Sequence, residues 1–159
     1  MKKSGLCWLW VAVIVLILDR WTKYLALKYL VLYVEHPVTK FLNFTLGYNT
    51  GSAFGFLNNS SGWEVPAFGV IALVVSACIL VWLARLPSNQ RWMSVALSLI
   101  LGGALGNLWD RISYKHVIDF IQLHASHWYF ATFNVADSAI CVGAFMLFLE
   151  MFFTSKKRG

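Results

Sequence analysis

The chain has 159 residues, 59% of them hydrophobic and 13% charged, with a mean hydropathy of +0.66; these proportions exclude an ordinary water-soluble domain and leave a small membrane protein. A hydrocarbon core about 30 Å thick takes roughly 20 apolar residues per helical crossing, so there is room for a single domain, 1–159, of four spans and two moderate loops. The formal charge of +6 does not point to nucleic acid, because the Lys and Arg residues gather at chain ends and in loops rather than on one interspersed face.

The start, Met1-Lys2-Lys3 and then an apolar run, looks like a secretory signal, but no small-residue cleavage site follows, and it reads as an uncleaved first span over residues 8–27. Asp19 and Lys23, spaced i,i+4, share one face of that helix. The outer loop, residues 29–65, holds a β-prone stretch at 38–46, then the turn-rich 47–51, which together predict a small sheet on the membrane surface. Residues 52–63 mix aromatic and polar side chains and predict a segment lying flat at the interface. The second span is predicted at 66–83, with Pro66 in the first turn where its missing amide hydrogen costs nothing. The third is predicted at 92–111, with Gly102 and Gly106 as a small-xxx-small pair permitting close helix contact, and the fourth at 133–153.

Lys2 and Lys3, Arg85 and Arg91, and Lys156, Lys157 and Arg158 fall on one side of this arrangement, so the positive-inside rule puts both termini in the cytoplasm. Trp8, Trp63, Trp82, Trp92, Trp109 and Trp128 lie near span ends, as an interfacial aromatic belt requires. The three cysteines, Cys7, Cys78 and Cys141, imply no disulfide framework and read as small buried hydrophobes.

The informative anomaly is acidic. Of seven Asp and Glu residues, Asp19, Asp110, Asp119 and Asp137 sit in or beside apolar segments, toward the outer ends of spans. An aspartate at a helix centre costs roughly 2.5–3.5 kcal/mol, so such residues pair or mark a functional site. Asp137 follows Asn134 by three residues, which puts both on one face near the start of the fourth span. Asp119 lies past the outer end of the third span, where the chain can fold back over the bundle mouth and face Asp137. Two such carboxylates share a proton, the arrangement that activates a water for peptide hydrolysis without metal or cofactor. Asn107 and Arg111 share a face, and Asp110 lies one turn from Asn107, a polar cluster at the outer surface. His124 and His127 lack a third convincing ligand for a metal, and no serine or cysteine has a distinctive partnered base.

Five ordered motifs carry a resemblance: Ile-Leu-Asp-Arg-Trp-Thr-Lys ending at Lys23, Asn-Thr-Gly-Ser-Ala-Phe-Gly from Asn49, Gly-Gly-Ala-Leu-Gly-Asn-Leu-Trp-Asp-Arg ending at Arg111, Val-Ile-Asp-Phe around Asp119, and Phe-Asn-Val-Ala-Asp-Ser around Asp137. In these the chain resembles the lipoprotein signal peptidase, or signal peptidase II, family from the first span through the fourth. The resemblance implies an all-α inner-membrane aspartyl endopeptidase of four helices with a small extracytoplasmic β-cradle in the first outer loop. It would cut a diacylglyceryl-modified prolipoprotein before the lipidated cysteine, in contact with membrane lipid, and be blocked by globomycin-type cyclic peptides. By motif position the resemblance makes Asp119 and Asp137 the catalytic pair, with Asn49, Gly51, Asn107, Arg111 and Asn134 lining the substrate pocket and Asp19, Lys23 and Asp110 in structural support. One departure is visible: where many relatives have a proline before the last motif, this chain has Ala131 and Thr132.

Two other readings compete. A small proton-coupled transporter would string its acids along a path through the membrane, whereas here the polar cluster is outward. A noncatalytic scaffold glued by its aspartates would leave the convergence of asparagine-rich outer loops unexplained.

Overall fold

The computed structural model describes residues 4–51, 63–125 and 127–155. Lys2, Lys3, Lys156, Lys157, Arg158 and residues 52–62 of the interfacial segment expected at 52–63 lie outside the described residues. Among the described residues, four helices are long and apolar enough to cross a membrane: α1 (Leu9–Tyr29), entered through a 3-10 turn at Gly5–Trp8, α2 (Glu64–Arg85), α3 (Arg91–Tyr114) and α4 (Val135–Ser155). Each runs a few residues beyond at least one of its predicted ends, because the polar caps continue the helix past the apolar window. Pro66 falls in the first turn of α2, as its chemistry requires.

The β-structure departs from expectation. A sheet was expected from the first outer loop alone; instead β1 (Glu35–Pro37) and β2 (Leu42–Asn49) pair with β3 (Val117–Ala125) and β4 (Trp128–Tyr129), which follow the third span, in the antiparallel order β1-β2-β3-β4. The physical reason is edge satisfaction: β2 needs a partner on both sides, and the chain leaving α3 supplies one. Lys115, in the left-handed region at φ 63°, ends α3 and turns the chain toward β3.

Helix α3 is the axis of the bundle, packing against α1, α2 and α4. Its glycines permit this, as the Gly102 and Gly106 spacing predicts. A Cβ on Gly102 would lie 2.8 Å from the Ala12 carbonyl oxygen of α1, and one on Gly106 would lie 2.7 Å from Asp19 Oδ2 and 3.3 Å from Ala136 Cβ. We expect Gly106→Ala to lower stability by about 1–3 kcal/mol, the usual cost of overpacking. Gly69→Ala, whose Cβ would meet Leu108 Cδ1 at an ordinary 3.8 Å, should be neutral or stabilising, with thermal unfolding in detergent micelles separating the two.

Two apolar clusters complete the packing. Ala12, Ile79, Leu83, Leu86, Leu97 and Leu101 close the end where the Gly5 amide donates to the Leu86 carbonyl (2.7 Å), and Ala26, Leu46, Ile118 and Phe120 fasten α1 to the sheet at the other. The outward faces carry exposed Ile14, Ile17, Val70, Val74, Val142 and Phe145, as helices in lipid do. Cys7, Cys78 and Cys141 are exposed on these faces too, correcting the expectation that they are buried. In a bilayer an apolar side chain gains nothing by hiding inside, and the helix contacts go to Gly, Ala and Ser instead.

Candidate active site

The site begins with the first turn of α4. Asn134 Oδ1 accepts the Asp137 amide (2.9 Å), Asp137 Oδ2 accepts the Asn134 amide (3.2 Å), and the Asn134 carbonyl accepts the Ser138 amide (3.1 Å). This reciprocal pair is a capping box with Asn134 as the N-cap. It explains why the chain enters α4 cleanly with Ala131 and Thr132 in place of a proline. A third orphan amide of the same turn, that of Ala136, donates 3.1 Å to Asp19 Oδ1, so α1 caps α4 across the bundle.

Behind this turn lies a buried ionic cluster. Lys23, 1% exposed, bonds Asp19 Oδ2 (2.9 Å), Asp110 Oδ2 (2.7 Å) and Asn107 Oδ1 (3.1 Å). Arg20 pairs with Asp19 (2.9 Å) and Asp110 (2.6 Å), and Asp110 also accepts the Ile118 amide at 3.2 Å, which ties α3 to the first residues of β3. Paired in this way, fully buried Asp19 and Asp110 avoid the cost of isolated carboxylates. Asp19 and Lys23 meet as their spacing predicts, but Asp110 turns toward α1 rather than to the Asn107 side chain.

Asn107 passes this order forward. With its Oδ1 held by Lys23 and by Asn134 Nδ2 (3.2 Å), its Nδ2 points at Asp137 Oδ1, 2.8 Å away. Asn134 Nδ2 in turn donates to Asp119 Oδ1 at 2.7 Å, and Asn49 Nδ2 to Asp119 Oδ2 at 3.1 Å. The two candidate carboxylates are thus both buried, at 1% and 4% exposure, and both held by Asn134. Burial, with the nearby charge of Asp137, pushes the Asp119 carboxyl up to about 7, against the pull of the Asn49 and Asn134 hydrogen bonds and of Lys23.

Arg111 lies on the Asn107 face as expected, donating 3.4 Å to the Asn107 carbonyl and 2.9 Å to the Gly51 carbonyl, with its guanidinium 5.6 Å from the centre of the Phe68 ring. Gly51 is itself held by Asn49 Oδ1 through its amide (2.9 Å). All ten residues singled out in the sequence therefore converge on one network: Asp19, Lys23, Asn49, Gly51, Asn107, Asp110, Arg111, Asp119, Asn134 and Asp137. His124 instead stacks on Tyr129, ring centres 5.5 Å apart, at the far end of β3.

An open cavity of about 300 Å³ lies against Asp119, lined also by Tyr33, Gly47, Tyr48, Asn49, Gln122 and Thr132. Sequence reasoning missed Arg20 and Gln122. Arg20 stands beside Asp19 and one turn before Lys23, a signal that was present. Gln122 had no such signal, since residues three apart on a regular strand point to opposite faces. Here the Phe120 and Ile121 amides both donate to the Phe133 carbonyl (3.1 and 2.9 Å), a bulge that brings Asp119 and Gln122 to the same cavity.

Known proteins resemble this chain in sequence and in fold. A family model described as signal peptidase (SPase) II matches residues 11–153. A lipoprotein signal peptidase of Coxiella burnetii is 50% identical over 159 residues, covering 99% of this chain and 96% of the relative. One of Pseudomonas paraeruginosa is 53% identical over 154 residues, covering 96% and 90%. Among solved structures, a bacterial membrane enzyme determined by the in meso method at 2.3 Å resolution superposes with a TM-score of 0.87 at 28% identity, covering 100% of this chain and 96% of that one. A second, determined by the same method at 1.9 Å, gives 0.80 at 30% identity, covering 95% and 97%.

Proposed function

The chain belongs to the signal peptidase II family, and from that premise we propose that it is an aspartic endopeptidase that removes the signal peptide from diacylglyceryl-modified prolipoproteins by cutting before the lipidated cysteine. The observation that carries this reading is the pair of buried carboxylates, Asp119 and Asp137, that share Asn134 as a hydrogen-bond partner. One proton is shared across the pair. The ionised member takes a proton from a water, whose oxygen attacks the scissile carbonyl. The protonated member donates to the carbonyl oxygen, giving a neutral tetrahedral diol. Collapse of the diol breaks the C–N bond, with a proton passed to the leaving amine, and the pair returns to one proton.

Supporting residues follow from their contacts. Asn49 and Asn134 hold Asp119, Asn107 holds Asp137, and Arg111 shapes the 49–51 turn through the Gly51 carbonyl. Asp19, Lys23 and Asp110 hold that layer from behind. The distribution of Lys and Arg supports cytoplasmic termini, an inner-membrane location and a site on the periplasmic face. There the acyl chains of the substrate stay in lipid while its scissile bond reaches the headgroup level.

The test is direct: purified protein in micelles should cleave a diacylglyceryl-modified precursor, leave the unmodified precursor intact, and lose its activity to a globomycin-type cyclic peptide. Equal cleavage of both precursors would overturn the substrate assignment.

A further inference from the structure

Next to the candidate pair lies a row of polar side chains that the reaction as described leaves unused. Across the β2–β3 ladder Asn43 stands opposite Gln122, and Thr45 stands opposite Glu35 on β1. Asn43 Nδ2 donates to Glu35 Oε2 (3.2 Å) and to Gln122 Oε1 (3.4 Å), and the Thr45 hydroxyl donates to the same Gln122 oxygen (3.1 Å). Asn43 and Thr45 are buried, at 2% and 7% exposure.

The chemistry of this row fixes its direction. An ionised carboxylate only accepts, so Glu35 determines which end of the Asn43 amide is the nitrogen. That nitrogen needs an acceptor on its other side, which determines that Gln122 presents its oxygen there. The Gln122 Nε2 is left over: among the described residues it has no hydrogen-bond acceptor, while Gln122 lines the cavity beside Asp119. The bulge at Phe120 and Ile121 gives it that placement, three residues from Asp119.

We propose that Gln122 is a substrate-positioning residue whose oriented amide NH2 donates a hydrogen bond to a backbone carbonyl of the precursor near the scissile bond. An extended peptide laid along the sheet offers such carbonyls at regular intervals, and a donor locked by Glu35, Asn43 and Thr45 loses little rotamer freedom on binding. This rests on the peptidase reading and adds to it a determinant of how the peptide is seated.

The experiment uses the full chain in micelles with a diacylglyceryl-modified precursor. Gln122→Leu removes the donor and Gln122→Glu replaces it with acceptors. For the loss of one hydrogen bond between uncharged groups, Gln122→Leu should raise KM about five- to tenfold with kcat within about twofold; it also takes the acceptor from Asn43 and Thr45 and should lower the unfolding temperature, whereas Gln122→Glu keeps that acceptor and should not. Gln122→Glu should raise KM further, because it sets a carboxylate against a carbonyl. One amide-to-ester replacement in the precursor should cost the parent enzyme but not Gln122→Leu. A parental KM in both variants overturns the proposal and leaves the peptidase reading intact, and a fall in kcat together with unfolding temperature in Gln122→Glu, which keeps the acceptor for Asn43 and Thr45, assigns Gln122 to structure instead. Should Gln122→Leu not fold, Gln122→Glu carries the measurement. A parent enzyme that cleaves nothing removes the peptidase reading, and this proposal with it.

Discussion

Asp119→Asn and Asp137→Asn, made separately, are each expected to lower kcat for precursor cleavage on the order of 10³- to 10⁴-fold, the upper range for loss of a positioned general acid or base. Either substitution leaves a group of nearly the same shape, so folded protein should be recovered in both cases, and normal processing by either variant would sink the pairing. The pH dependence follows from the Asp119 carboxyl, pushed up to about 7 by burial and by the charge of Asp137. In the proposed mechanism the working form of the pair carries one proton, so kcat/KM should decline as pH rises through about 7, by about tenfold per unit once the proton is gone. Stability should run the same way. The folded protein holds the Asp119 proton more tightly than the unfolded chain, whose value is near 3.8, so stability is lost between about 4 and 7 as pH rises. Asp119→Asn, which cannot ionise, should therefore unfold at a higher temperature than the parent at pH 8, with the gap closing toward pH 4. A constant gap across that range would contradict the burial account.

The second large effect concerns Lys23. Lys23→Met keeps the volume and removes the charge, leaving buried Asp19 and Asp110 with Arg20 as their cation. Breaking a buried pair by removing one partner costs about 3–5 kcal/mol, a large share of the stability of a chain this size, and thermal unfolding in micelles reads it. Activity should fall as well, because Lys23 holds the Asn107 oxygen and thereby aims the Asn107 amide at Asp137. Adding Asp110→Asn to Lys23→Met should recover part of the lost stability, since the second change removes a carboxylate that the first left uncompensated. Strictly additive losses would show that Lys23 does not act through these carboxylates.

Much of this was legible in the sequence, for reasons that differ by element. The four helices are written in apolar runs of membrane length, and the Asp19–Lys23 and Asn107–Arg111 contacts in helical spacing. Asn134 and Asp137 were placed together by the same spacing, though their joint role as a capping box is a property of the chain direction just before α4. Strand β3 was not legible: its buried residues Val117, Ile118, Asp119 and Phe120 run consecutively, and the bulge at Phe120 and Ile121 erases the two-residue alternation by which a strand is recognised. The same bulge hid Gln122. Arg20 stands beside Asp19 in the sequence and pairs with it, but the reach of its long side chain across to Asp110 on α3 is a tertiary contact that no helical spacing announces. The placing of Asn49 and Gly51 came from resemblance alone, since a turn on one loop carries no spacing that ties it to an aspartate 70 positions away.

The capping box has a mechanical consequence. Asp137 is bolted to the bundle: one oxygen is clamped by the backbone of its own helix and the other by Asn107, itself anchored on Lys23. Asp119 rides on the sheet. The proposed chemistry thus straddles a seam between sheet and bundle, and Asn134 is one rivet across it, one end starting a helix and the other gripping the strand's carboxylate. Sliding of sheet against bundle would stretch that 2.7 Å bond together with the 3.2 Å bond from the Ile118 amide to Asp110, so the Asn134 amide is one gauge of whether the two halves of the proposed active site are in register.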